Sequence, residues 1–86
     1  MISPTAGSTL AGSSQTFSWN PASSTEAGLS VGTTGVGSQN IYYSGIVTAS
    51  SANVTGLPTS GQTVYVRLSS KVNGTWEIND YVYTAP

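Results

Sequence analysis

The chain has 86 residues, of which 6% are charged, and its formal net charge is −1. This length allows one domain with a modest core, and this charge offers no electrostatic footprint for nucleic acid or an anionic membrane surface. It contains neither cysteine nor histidine, which excludes disulfides and removes the commonest general base and metal ligand. No apolar run approaches the roughly 20 residues that insertion across a membrane requires.

Strand signals recur along the first half of the chain, and helix signals are absent. The opening ISPT reads as a short edge strand broken by Pro4. SQTFSWN alternates in polarity and places Phe17 and Trp19 on one face. NPASSTEAG begins with an Asn-Pro pair and is predicted to be a loop. AGLSVG then places Ala27 and Leu29 on one face of a further strand.

The second half continues the same pattern. TTGVGSQN is rich in glycine and reads as a flexible connection, IYYSG as a brief strand and IVTASSANVTGL as a longer one. QTVYVRLSSKV is the clearest strand, and TWEINDYVYT is its partner. About seven short strands with turns at close intervals predict an all-β fold, an antiparallel two-sheet β-sandwich that forms a single module over residues 1–86.

Asn73-Gly74 separates the last two strands. Asn-Gly between alternating runs predicts a two-residue type I′ turn, because both central residues need positive φ, and such a turn sets the register of the strands. In the absence of a bulge, the predicted pairs are Val72 with Thr75, Lys71 with Trp76, Ser69 with Ile78, Arg67 with Asp80, Val66 with Tyr81, Tyr65 with Val82 and Val64 with Tyr83.

This register divides the hairpin into an apolar face and an amphipathic face. The residues predicted to face the core are Val64, Val66, Leu68, Tyr81 and Tyr83. The residues predicted on the outer face are Tyr65, Arg67, Lys71, Trp76, Ile78, Asp80 and Val82. The few charges of the chain therefore gather beside aromatic side chains because they share one solvent-facing surface.

Three stretches together resemble a known family. SPTAGSTLAGSSQTFSWNPAS, LSVGTTGVGSQNIYYSG and above all SGQTVYVRLSSKVNGTWEINDYVYTA resemble an immunoglobulin-like or fibronectin type III-like repeat of bacterial secreted and surface proteins. The resemblance covers nearly the whole chain. One departure concerns Tyr65. Fibronectin type III domains turn the tyrosine of an L-x-P-x-T-x-Y run inward, whereas the alternation in this chain places Tyr65 outward.

The resemblance implies a non-catalytic structural or spacer module, one repeat of a multidomain protein or filament, located outside the cell or at its surface. Its partners would be neighbouring domains or copies of itself. The alternative is an adhesion or carbohydrate-binding module that uses the outer face around Trp76, with a polysaccharide as its ligand. No cofactor, nucleic-acid partner or membrane insertion is expected.

The tryptophans carry competing interpretations. Trp19 could serve as a ligand platform, but strand alternation favours a core aromatic. Tyr65, Arg67, Lys71, Trp76 and Ile78 form the candidate binding surface, for sugar rings or for another protein. The same residues could instead form a cross-strand patch that only protects the sheet, or a contact with an adjacent domain. Arg67 with Asp80 is expected to be an exposed structural ion pair.

Catalysis and metal binding have little support in the sequence. Glu26, Glu77 and Asp80 are the only acidic residues, and a glycosidase would need two of them close together. Glu26 is predicted to lie in a loop, and Glu77 and Asp80 on opposite faces of one strand, so neither a catalytic pair nor a calcium loop is expected. Asn53 and Asn73 begin N-glycosylation sequons and are possible glycosylation sites, and the Ser/Thr-rich loops could carry O-linked sugar.

Overall fold

The computed structural model describes residues 4–5, 7–19 and 24–86, and in this part of the chain it contains strands and no helix. The six strands are β1 (Ser14–Ser18), β2 (Ser24–Gly32), β3 (Tyr42–Tyr43), β4 (Ser51–Thr55), β5 (Thr63–Val72) and β6 (Thr75–Thr84). They form a two-stranded sheet, β1-β4, and a four-stranded sheet, β3-β2-β5-β6, in which all neighbours are antiparallel. The all-β prediction is confirmed, and the two sheets are compatible with a sandwich, with six strands rather than about seven.

The core forms where strand alternation places apolar side chains on inward-facing positions. Its buried hydrophobic residues are Leu10, Phe17, Trp19, Ala27, Leu29, Val31, Val54, Leu57, Val64, Val66, Leu68, Tyr83 and Ala85. Phe17 of β1 meets Tyr83 of β6 edge to face, with ring centroids 5.6 Å apart, and this contact joins the two sheets. Trp19 is only 2% exposed, so the interpretation of Trp19 as a core aromatic is confirmed.

The β5–β6 hairpin has the predicted register at every pair, without a bulge. Asn73 and Gly74 have φ values of 51° and 79°, the left-handed conformation that a type I′ turn demands of both central residues. Because one residue of slip would exchange the two faces, this turn decides which side chains enter the core. Val64, Val66, Leu68 and Tyr83 are buried as predicted, and Tyr81 is half-buried against the core.

Tyr83 is fully buried, and its hydroxyl donates a hydrogen bond of 2.9 Å to the backbone carbonyl of Pro4. Burial raises the pKa of Tyr83 to about 12, with a smaller contribution from the nearby Tyr81, because a phenolate would lose its hydration inside the protein. The neutral phenol is therefore the form that fits this core.

The predicted loop NPASSTEAG is wrong at its C-terminal end. β2 begins at Ser24, so Glu26 lies on a strand beside Lys71, while residues 20–23 fall outside the described part. The register shifts between Ser24 and Glu26, which marks a local irregularity. β5 continues to Val72, so its backbone can pair with β2 from Ser24 onward. β2 therefore begins before its apolar alternation, which starts at Ala27.

Two other strand predictions are also corrected. Pro4 lies in a bend rather than in a strand, and residues 1–3 of the predicted ISPT strand lie outside the described part. The long strand predicted over IVTASSANVTGL is reduced to β4, because residues 46–50 do not form a continuous ladder. Within them only Val47 makes a bridge, to Ala27 of β2. The Ser- and Ala-rich stretch supplies few large side chains to hold a longer strand in place.

A segment near the N-terminus partly covers the outer edge of β6. Residues 7–10 run parallel to the end of this strand: Gly7 donates to the carbonyl of Val82, and Leu10 donates to that of Thr84. The amide of Thr84 in turn donates a hydrogen bond to the backbone carbonyl of Ser8. The segment therefore occupies the β6 edge at Val82 and Thr84.

Candidate functional site: the outer face of the four-stranded sheet

The outer face of the four-stranded sheet is organised in cross-strand rows. One row consists of Glu26, Lys71 and Trp76, the next of Gly28, Ser69 and Ile78, and the third of Ser30, Arg67 and Asp80. Neighbouring rows are two residues apart along each strand, roughly 7 Å. The middle row has the smallest side chains, because glycine and serine occupy two of its three positions.

A groove of about 260 Å³ lies over this middle row. Gly28 and Ser69 line its floor, Trp76 and Ile78 of β6 line one side, and Tyr43 and Ile46 line the other. Trp76 is 41% exposed and Ile78 55% exposed, and Tyr43 and Ile46 are exposed as well. Four large apolar or aromatic side chains therefore surround a shallow depression that is open to solvent.

The segment between β2 and β4 forms the second side of this groove by folding back over the sheet. Ser44 donates its amide to Leu29, and Val47 and Ala27 exchange two backbone hydrogen bonds of 2.8 Å. A Cβ atom on Gly28 would lie 3.3 Å from the carbonyl oxygen of Gly45, a tight contact, so glycine favours this close approach. Gly28 thus makes the floor low and allows the segment to pack against β2.

Ion pairs flank the groove in the rows on either side. Arg67 and Asp80 form a two-point contact, with Nε to Oδ1 at 2.8 Å and Nη2 to Oδ2 at 3.3 Å. The hydrogen bond that Arg67 donates to the carboxylate of Asp80 raises the pKa of Arg67. On the other side, Lys71 Nζ lies 3.5 Å from Glu26 Oε1. The groove therefore has an apolar centre with ion pairs at both ends. This arrangement suits an occupant that is apolar in the middle and polar at its periphery.

The predicted site residues separate into two groups. Trp76 and Ile78 line the groove, and Lys71 lies in the adjacent row. Tyr65 is on the same face, but it is six residues from Lys71 along β5, roughly 20 Å away, and does not line the groove. Arg67 lies between these two groups and is engaged by Asp80.

The two sequon asparagines lie away from the groove lining. Asn73 is at the exposed hairpin tip, and Asn53 is exposed on β4, where its Oδ1 accepts a bond of 3.4 Å from Thr16. Both side chains are accessible at the surface. Whether either carries sugar stays a prediction.

Tyr43, Ile46 and Gly28 are groove residues that the sequence analysis did not select. Tyr43 belongs to a strand of only two residues, and Ile46 to an irregular segment, so neither has a long alternating pattern that assigns it a face. The one available signal was Gly28 inside an otherwise apolar strand, since a glycine there indicates a close approach by another segment.

The acidic side chains do not gather into a site. Glu26 pairs with Lys71 and Asp80 with Arg67, whereas Glu77 lies on the opposite face of β6 from Asp80. Among the described residues, no group of three or more His, Cys, Asp or Glu side chains could hold a metal ion. Within the same ranges, no helix is long and apolar enough to cross a membrane.

Comparison of the chain with models of known protein families finds no match, and searches among curated proteins and solved structures find none either.

Proposed function

We propose that this chain is a non-catalytic structural module that packs the outer face of its four-stranded sheet against a neighbouring domain or another copy of itself. The groove formed by Trp76, Ile78, Tyr43 and Ile46 carries this proposal. Apolar surface gathered in one exposed patch is typical of contact sites. Trp and Tyr are also the residue types on which interface free energy concentrates.

The strand arrangement supports an immunoglobulin-like or fibronectin type III-like module. In such sandwiches the second and fifth strands pair in one sheet, while the third, sixth and seventh lie side by side in the other. β1 and β4 fit the first pair, and β2, β5 and β6 fit the second set in the same order. The first and fourth strands of that arrangement have no counterpart among the six strands, and residues 7–10 lie along β6 instead.

The sequence resemblance extends the proposal to the protein's setting. Modules of this kind occur in tandem within secreted and surface proteins, so we propose an extracellular or cell-surface location in a multidomain protein or filament. An elongated module with few charged residues and a contact face on a four-stranded sheet is suited to a spacer that is held by its neighbours.

The experiment compares single chains with two copies joined by a flexible Gly/Ser linker, using amide spectra. A short linker gives an effective concentration in the millimolar range. We expect shifts at Gly28, Ser69 and the Trp76 indole in the joined form. Trp76→Ala should reduce this contact by about 2 kcal/mol or more, whereas Val82→Ala, on the same face outside the groove, should leave it unchanged.

A second candidate function is carbohydrate binding in the same groove. It is favoured by the exposure of two aromatic side chains, Trp76 and Tyr43, on opposite sides of a floor with little side-chain bulk. Addition of soluble cello- and chito-oligosaccharides to the single chain would shift the same groove resonances if sugars bind. If neither the joined copy nor the sugars affect Gly28 and Ser69, the groove packs neither against a second copy nor against these sugars, and a neighbouring domain is the one occupant of the proposal that remains.

A further inference from the structure

The first half of β6 lies at an edge of the sheet, where it presents backbone groups that have no partner among the described residues. Val72 and Thr75 flank the two-residue turn and therefore exchange backbone hydrogen bonds. Hydrogen-bonded pairs alternate along an antiparallel ladder, so the backbone groups of Thr75 and of every second residue after it face β5. Those of Trp76, Ile78 and Asp80 therefore face outward. Within the described ranges, no backbone other than β5 bonds to residues 76–80. Such an edge is a template for another strand.

This open edge has defined limits. The Asn73-Gly74 turn ends it on one side, and on the other side the carbonyl of Val82 already accepts the amide of Gly7. The outward-facing backbone groups between these limits are those of Trp76, Ile78 and Asp80, and Ile78 is the middle one of the three. An added strand must fit between these two limits.

Three antiparallel, two-fold symmetric registers pair at least two of the residues Trp76, Ile78 and Asp80 with the same edge of a second copy. An axis at Glu77 places Glu77 opposite itself in a non-hydrogen-bonded pair, where side chains are closest, and like charges there are destabilising. An axis at Asn79 places Trp76 opposite Val82, whose carbonyl already accepts the amide of Gly7, so only Ile78 and Asp80 can pair. An axis at Ile78 avoids both conflicts.

We infer that a second copy of this chain pairs with the open edge of β6, antiparallel and with the two-fold axis at Ile78. In this register Trp76 lies opposite Asp80 of the second copy, and both Trp76–Asp80 pairs and the central Ile78 pair exchange backbone hydrogen bonds. Glu77 lies opposite Asn79 of the second copy. The charge on Asp80 does not oppose pairing, because Arg67 already neutralises it within each chain.

The product is a continuous eight-stranded sheet whose outer face carries the two grooves side by side. Trp76 and Ile78 of both copies meet at the seam, while each groove stays open toward β2 of its own chain. The inference goes beyond the proposed function, because it concerns the backbone edge of β6 and not the groove. Only five residues of each chain pair, so the contact belongs to the small, weak class of interfaces, and we expect a dimer that forms at millimolar protein concentration.

The register is tested by placing a charge at position 79, opposite Glu77 of the second copy. Asn79→Lys should tighten the dimer about fivefold, and Asn79→Glu should weaken it about fivefold, measured by sedimentation equilibrium. The matched controls are Asn53→Lys and Asn53→Glu, which make the same changes in net charge on β4. These should leave the dissociation constant unchanged.

Amide exchange on the wild-type chain provides a second measurement that does not depend on a substitution. The amides of Trp76, Ile78 and Asp80 should exchange more slowly at about 2 mM than at about 0.05 mM. A chain that stays monomeric at about 2 mM overturns the inference, and so does a dimer that responds equally to the substitutions at 79 and 53. Neither result bears on the proposed function, which is tested separately by the amide shifts at Gly28 and Ser69 in the joined copies.

Discussion

The two halves of β6 belong to one strand but have different surroundings. Over residues 75–80 every side chain is exposed, including Trp76 and Ile78, whereas Tyr83 and Ala85 near its end are buried. The second half packs against Phe17 of the two-stranded sheet and is bordered by residues 7–10. In the first half even the inward-facing positions Glu77 and Asn79 are exposed. Burial in β6 thus follows from what covers the strand, and the uncovered half is available for contacts.

The largest expected effect is at Tyr83, in the covered half. Tyr83→Ala should destabilise the fold by about 3–5 kcal/mol, because it removes a fully buried ring and leaves a cavity between the sheets. The free energy of unfolding in urea measures this loss, with Trp76→Ala in the same strand as the comparison. Equal losses for the two variants would remove the distinction between the two halves.

The buried phenol also predicts a stability loss at high pH. Since the pKa of Tyr83 is about 12 in the folded state and about 10 in the unfolded chain, the folded state holds its proton more tightly. Its contribution is complete below pH 10 and is lost as the pH rises through about 12, by roughly 2 kcal/mol. Tyr83→Phe should flatten this decline in urea titrations at each pH, and an unchanged decline would assign it to other groups.

Trp76, in the uncovered half, should have much less effect on stability. Trp76→Ala should change the free energy of unfolding by less than about 1 kcal/mol, as expected of a surface position. The two tryptophans also differ in exposure, at 41% for Trp76 and 2% for Trp19, so acrylamide should quench mainly Trp76. Trp76→Phe should leave a weakly quenched signal from Trp19. Strong quenching of that remaining signal would show that Trp19 is accessible.

The smallest effect is expected for the ion pair at the boundary between the halves. Asp80→Asn removes the carboxylate that binds Arg67 through two hydrogen bonds, but the pair lies at the surface, where solvent screens it. The melting temperature should fall less than in any variant above. The difference from wild type should shrink further in about 1 M salt. A difference that does not depend on salt would indicate packing instead of charge as its cause.

The sequence predicted the β5–β6 hairpin because its determinants are local. Asn73-Gly74 specifies the turn, the turn specifies the register, and alternation then assigns Tyr83 inward and Trp76 outward. The same local rules could not assign Tyr43 and Ile46, which reach the groove through an irregular segment that folds back over Gly28. They also missed the Glu26–Lys71 pair, because it depends on where β2 begins along β5. Long-range pairing decides these features.

Amide hydrogen exchange along β6 in dilute solution shows directly whether the first half of this strand is an open edge. Thr84 donates its amide to Ser8, whereas those of Trp76, Ile78 and Asp80 face away from β5 without a described partner. At about 0.05 mM, we expect slow exchange at Thr84 and fast exchange at residues 76, 78 and 80, with Glu77 and Asn79 protected between them by β5. Protection of residues 76, 78 and 80 equal to that of Thr84 in the monomer would contradict the claim that this half of the edge is open.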